Sequence, residues 1–86
     1  MSYTIRIEKP AQKFIAKLSR PDKERIIKAI HKLPNEGDIK ELQGRNNKGV
    51  FRLRVGSYRI LYKVDHGELL VCVIDADNRG DVYKRY

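Results

Sequence analysis

Three arginines could do chemistry in this 86-residue chain: Arg52, Arg54 and Arg59. The first two alternate with Phe51, Leu53 and Val55, a period of two that puts the arginines on one side of a β-strand and the apolar residues on the other. Gly56 and Ser57 come next. A two-residue hairpin turn with glycine first pairs Val55 with Tyr58, Arg54 with Arg59, Leu53 with Ile60 and Phe51 with Tyr62. Arg54 and Arg59 then become directly opposed neighbours, and like charges so placed cost stability. An anion between the two guanidinium groups removes that cost, and phosphate oxygens match their forked donors. The alternative is a solvated face, with alkyl stems covering apolar surface and charged heads spread into water. The spacing alone leaves both readings open.

The distribution of charge narrows the partner. Of a net +8, residues 42–64 hold six Lys/Arg and no Asp/Glu, against ten and six in residues 1–41 and three and five in residues 65–86. A basic maximum in mid-chain fits a polyanion, most often nucleic acid, and also fits an acidic protein. Other classes drop out. With 41% hydrophobic and 35% charged residues the chain reads as globular, and no apolar run is long enough to span a bilayer. The opening MSYTIRIEK has no secretory pattern, so a cytoplasmic location is expected. The one cysteine, Cys72, lies in the apolar run LLVCVI and reads as a small buried hydrophobe, which excludes an internal disulfide or a CxxC metal site.

The elements that must position the arginines follow from periodicity. Tyr3, Ile5 and Ile7 alternate along a first strand. Pro10 opens a helix whose Ala11, Phe14, Ile15 and Leu18 share a face. Ser19 is placed to cap a second helix, with Pro21 and Asp22 near its start, an apolar stripe of Ile26, Ile27, Ile30 and Leu33, and Pro34 as its stop. Asn35 to Gly49 reads as a loop anchored by Ile39 and Leu42. After the arginine hairpin, a turn at Asp65 to Glu68 leads into a last strand, Leu69 to Ile74, apolar on both faces and therefore central. Pairing Val64 with Leu69 sets Arg59 opposite Ile74. The order β-α-α-β-β-β predicts one α+β domain over residues 1–86, a two-helix hairpin packed on one face of a mostly antiparallel four-stranded sheet.

The segments VFRLRVGSYRILYKV (50–64) and IDADNRGDVYKR (74–85) resemble the core signature of the RelE/ParE toxins: a basic-apolar-basic strand, a glycine turn, Tyr-Arg, an apolar Tyr strand, then an arginine and Val-Tyr near the C-terminus. The likeness extends to the first strand, both helices and Leu42 to Gly44. It implies a fold similar to small microbial RNases and, on the RelE branch, a metal-independent and cofactor-free endoribonuclease that cuts mRNA in the ribosomal A site. The 2′-hydroxyl attacks the adjacent phosphate in that reaction. Carried over, the catalytic positions fall on Arg52, Arg54, Arg59, Arg79 and Tyr83, and RNA phosphates are expected on Arg45, Lys48, Arg52, Lys63, Lys84 and Arg85. Implied partners are an antitoxin, the ribosome with its message, and operator DNA through the antitoxin complex, with no membrane. A ParE-like gyrase poison and a non-toxic basic antitoxin- or DNA-binding module share the same scaffold.

The RelE toxin has lysines where this chain has Arg52 and Arg54. Arginine stays protonated and is a poor general base. The base is therefore left to Tyr83, whose other role is to anchor the tail, or to the ribosome. Asn78 stands where a histidine often precedes the C-terminal arginine. His31 and His66 read as structural, without a second ligand at metal-binding spacing. Glu8, Asp75, Asp77 and Asp81 read as surface charge.

Overall fold

The structure, a computed structural model, describes residues 3–42 and 49–78. Chain order is β1 (Thr4–Ile7), α1 (Lys9–Ala16), α2 (Arg20–His31), β2 (Asp38–Glu41), β3 (Phe51–Val55), β4 (Tyr58–Asp65) and β5 (Leu70–Asp77). The strands form one sheet in the order β1-β5-β4-β3-β2, antiparallel except where β1 runs parallel to β5. This is the expected α+β arrangement with one strand more than expected.

Both helices bury their apolar stripes on the same face. Ala11 and Ile15 from α1, Ile26 and Ile30 from α2, and Leu33 beyond it meet Leu53, Val55, Ile60, Tyr62, Val71, Val73 and Ala76 of the sheet. Pro10 and Pro21 stand in the first turns, where a missing N–H costs nothing. Ser19 occupies the N-cap position of α2, but its side chain makes no capping bond, which corrects the expectation that it caps the helix. Tyr58 ties α2 to β4 instead: its hydroxyl donates to Asp22 Oδ2 at 2.6 Å, which chiefly raises the phenol pKa, and its ring meets Phe14 edge-on at 5.9 Å.

The predicted loop contains a strand. β2 pairs with β3 so that Asp38 faces Arg54, Ile39 faces Leu53 and Lys40 faces Arg52. Ile39 joins the helix-side core, and Leu42 joins a smaller cluster with Val50, Leu61 and Ile74 on the other face. Gly37 leads into β2 with φ +130°, and a Cβ there would sit 2.6 Å from Leu53 Cδ1. The chain passes directly over Leu53, and only glycine fits.

The β3–β4 register is the predicted one at Val55↔Tyr58, Arg54↔Arg59, Leu53↔Ile60 and Phe51↔Tyr62. The β4–β5 register is not. Val64 pairs with Val71, a slip of two residues from the expected Leu69, and an irregularity at Leu61/Tyr62 shifts β5 by one more, so that Arg59 faces Asp77 rather than Ile74. The two-residue slip preserves the faces, whereas the one-residue bulge at Ile74 exchanges them. Without it Asp75 would share the helix-side core with Ile60. With it Ala76 enters that core, and Asp75 and Asp77 turn to the arginine side.

Tyr62 is the largest fully buried side chain, 1% exposed and stacked on Phe51 at 5.5 Å. Burial pushes its phenol pKa to about 12. The unfolded phenol ionises near 10, so the neutral ring contributes stability that is complete below pH 10 and lost as pH rises toward 12. Two units correspond to about 2–3 kcal/mol. Urea midpoints measured at pH 9 and pH 11.5 should therefore differ more for the wild type than for Tyr62→Phe; equal differences would show that Tyr62 plays no part.

Candidate phosphate-binding face

The face of the sheet away from the helices carries two rows of side chains running across four strands. Register places Asp38, Arg54, Arg59 and Asp77 in one row, and Lys40, Arg52, Leu61 and Asp75 in the next. In the first row two arginines at the centre are flanked by an aspartate on each side.

Asp38 grips two of the three arginines. Its Oδ2 accepts from Arg54 Nε at 2.9 Å, and its Oδ1 accepts from Arg52 Nη2 at 3.0 Å. The anion that the arginine cluster calls for is thus supplied in part by the chain itself. The arginines are not equivalent. The Arg52 side chain is 14% exposed and its buried Nε has no hydrogen-bond partner among the described residues, whereas that of Arg54 is 50% exposed. Arg52 belongs to the floor of the face, held by its carboxylate against the cost of desolvating a cation. Arg54 reaches solvent, and Arg59 is half-buried beside it.

Asp75 and Asp77 are 4% and 6% exposed, which corrects their reading as surface charge. Asp75 Oδ1 accepts from Ala76 N at 2.8 Å, and Asp77 Oδ1 from Asn78 N at 2.7 Å. Glu8 is likewise engaged, with Arg6 at 3.4 Å and with Cys72, whose Sγ donates to Glu8 Oε1 at 3.1 Å. Cys72 is half-buried rather than buried, and its thiol pKa is raised by burial first and by Glu8 second.

Lys63 is exposed on the arginine side but four residues along β4 from Arg59, about 13 Å at strand rise, so it extends the face rather than joining the pair. His66, beyond the far end of β4, bonds Tyr3 Oη at 2.8 Å, and His31 closes α2 exposed to solvent. Arg45, Lys48, Arg79, Asp81, Tyr83, Lys84 and Arg85 lie outside the described residues. Among the described residues no group of three or more His, Cys, Asp or Glu side chains is arranged to hold a metal ion. No described helix is long and apolar enough to cross a membrane.

Comparison with known proteins decides the family. A family model described as the ParE toxin of the type II toxin–antitoxin system parDE matches residues 5–83. The curated Toxin RelG of Mycobacterium tuberculosis is 32% identical over 92 residues, covering 99% of this chain and 100% of that protein. The chain belongs to the RelE/ParE toxin family. Among solved structures, the RelBE2 toxin–antitoxin complex of Mycobacterium tuberculosis contains a chain that superposes with a TM-score of 0.77 at 25% identity, covering 92% of the present chain and 100% of that one. The isolated RelE toxin of E. coli superposes at 0.72 with 23% identity, covering 98% and 94%, and so shares the fold. The chain is therefore a RelE-like toxin of a type II toxin–antitoxin system.

Proposed function

We propose that this toxin is a ribosome-dependent endoribonuclease that cleaves mRNA in the A site and so inhibits translation. The observation that carries the reading is the Arg54–Arg59 cross-strand pair. Two guanidinium groups held by the sheet at adjacent positions can clamp one phosphate and stabilise the charge that grows on it as the 2′-hydroxyl attacks. Arg79 and Tyr83 complete the cluster in this proposal, while Lys63, Arg45, Lys48, Lys84 and Arg85 guide the message. Arg52 contributes from the floor. No arginine takes the proton of the 2′-hydroxyl, so that step falls to Tyr83 or to the ribosome. An antitoxin partner is supported by the relatives crystallised as toxin–antitoxin complexes. We propose that it masks the basic face, and that the complex meets operator DNA through the antitoxin.

A second reading, a gyrase poison, is favoured by the ParE description of the matching family model. The short helices and the retained Arg79 and Tyr83 favour the nuclease. Primer extension on a translated message after induction separates the two. Cuts at ribosome-defined positions are expected. Intact message with a DNA-damage response would overturn the nuclease in favour of the gyrase poison, and intact message with unimpaired growth would leave a basic binding module.

A further inference from the structure

Asp38 lies at the edge of the arginine face, on a strand whose side chains alternate between the helix-side core and that face. Its carboxylate bridges two cations of the neighbouring strand β3, bonding Arg54 through Nε and Arg52 through Nη2. The Arg54 bond uses Nε and not the two Nη groups, which form the outer edge of the fork that phosphate would engage. Asp38 is half-exposed and lies outside both apolar clusters, so its carboxylate packs no core, and its structural part is confined to pairing the nearly buried Arg52. Its effect on the face is twofold. It restrains a long side chain that would otherwise sample several rotamers, and it places a negative charge beside a site for a negative ligand.

We propose that Asp38 is a positioning residue for RNA cleavage: it fixes the Arg54 guanidinium for the scissile phosphate at the expense of RNA affinity. This rests on the nuclease reading above. Opposite effects on binding and rate follow, which a merely structural residue would not produce. Removing one negative charge several ångströms from a bound phosphate strengthens the attraction by about the amount that multiplies affinity fivefold. Releasing Arg54 lets its fork leave the reactive geometry, and misplacement on the ångström scale costs tenfold or more in rate.

The test uses the full chain and two variants, with every value normalised to the folded fraction measured by circular dichroism. Asp38→Ala removes charge and acceptor together. Asp38→Asn keeps the shape and one acceptor oxygen, and preserves a partner for Arg52 should the alanine variant fold poorly. Expected for Asp38→Asn is tighter binding of a single-stranded RNA oligonucleotide by fluorescence anisotropy at low salt, with a modest fall in single-turnover cleavage on programmed ribosomes. Expected for Asp38→Ala is equal or tighter binding with cleavage slowed about tenfold or more. The Arg54 Nε–H signal in NMR should be protected from exchange in the wild type and lose that protection in Asp38→Ala. Unchanged rate and affinity in folded variants, or losses that merely track the folded fraction, would overturn the proposal. Wild-type protein that makes no cuts would instead sink the nuclease reading, and the Nε–H signal would still decide whether Asp38 holds Arg54.

Discussion

Arg59→Ala is expected to slow cleavage of ribosome-bound message by roughly 10²- to 10³-fold, the usual cost of deleting one preorganised donor to a developing oxyanion. The fold should survive the change. Removing Arg59 relieves its repulsion with Arg54, worth about 0.2–1 kcal/mol for an opposed pair, and removes the cation that faces the buried Asp77 across β4 and β5. These effects oppose each other, so thermal unfolding should move little while growth inhibition is lost. Arg54→Ala should behave similarly. The double variant should fall short of the product of the two, because both side chains are proposed to hold the same phosphate, and residues sharing a partner are not additive. A folded Arg59→Ala protein that cuts at the wild-type rate would remove the basis of the proposed site.

The second large effect is on stability. Leu53 is 1% exposed, faces Ile60 across the hairpin and Ile39 across β2, and lies under the backbone of Gly37. It also separates Arg52 from Arg54 along the chain, so its packing sets the level of both. Leu53→Ala should cost about 2–5 kcal/mol, through lost transfer energy plus the cavity left behind. In a domain of this size roughly 3 kcal/mol lowers the melting temperature by about 12–24 °C. Toxicity should fall because less protein is folded at growth temperature, while single-turnover cleavage per folded molecule stays near wild type at low temperature. This is the reverse of the Arg59→Ala signature. A melting temperature within 3 °C of wild type would show that β2 does not pack as described.

The parts of the site that were legible share one property: they are set by local rules. A two-residue turn with glycine first fixes its own register, so the opposition of Arg54 and Arg59 followed from Gly56 and the alternation on either side. The helices were legible because Ile26 and Ile30 repeat at the helical period and meet a single core. β2 was not. Asp38, Ile39, Lys40 and Glu41 contain one apolar residue, and a short charged strand of this kind is what protects a sheet edge; it is a strand because β3 pairs with it, not through its own preference. Asp38 was missed with it.

The β4–β5 register failed for a related reason. The run from Leu69 to Ile74 is apolar on both faces, so no alternation pins it, and slips of one or two residues look alike until Val64 is seen against Val71 and the bulge appears at Ile74. That single extra residue decides whether Asp75 and Asp77 point toward the helices or the arginines.

By itself the sequence determined the α+β class, the family likeness and the cross-strand arginine pair, each carried by short-range periodicity or by a turn that sets its own geometry. Only the tertiary structure decided that the arginines lie within a row of mixed charge, with Asp38 bound to Arg52 and Arg54 and with Asp77 buried opposite Arg59. The physical reason is that these contacts join residues fourteen or more apart. Which carboxylate meets which arginine depends on register and bulges, and these are settled by the packing of the whole sheet rather than by any one segment of it.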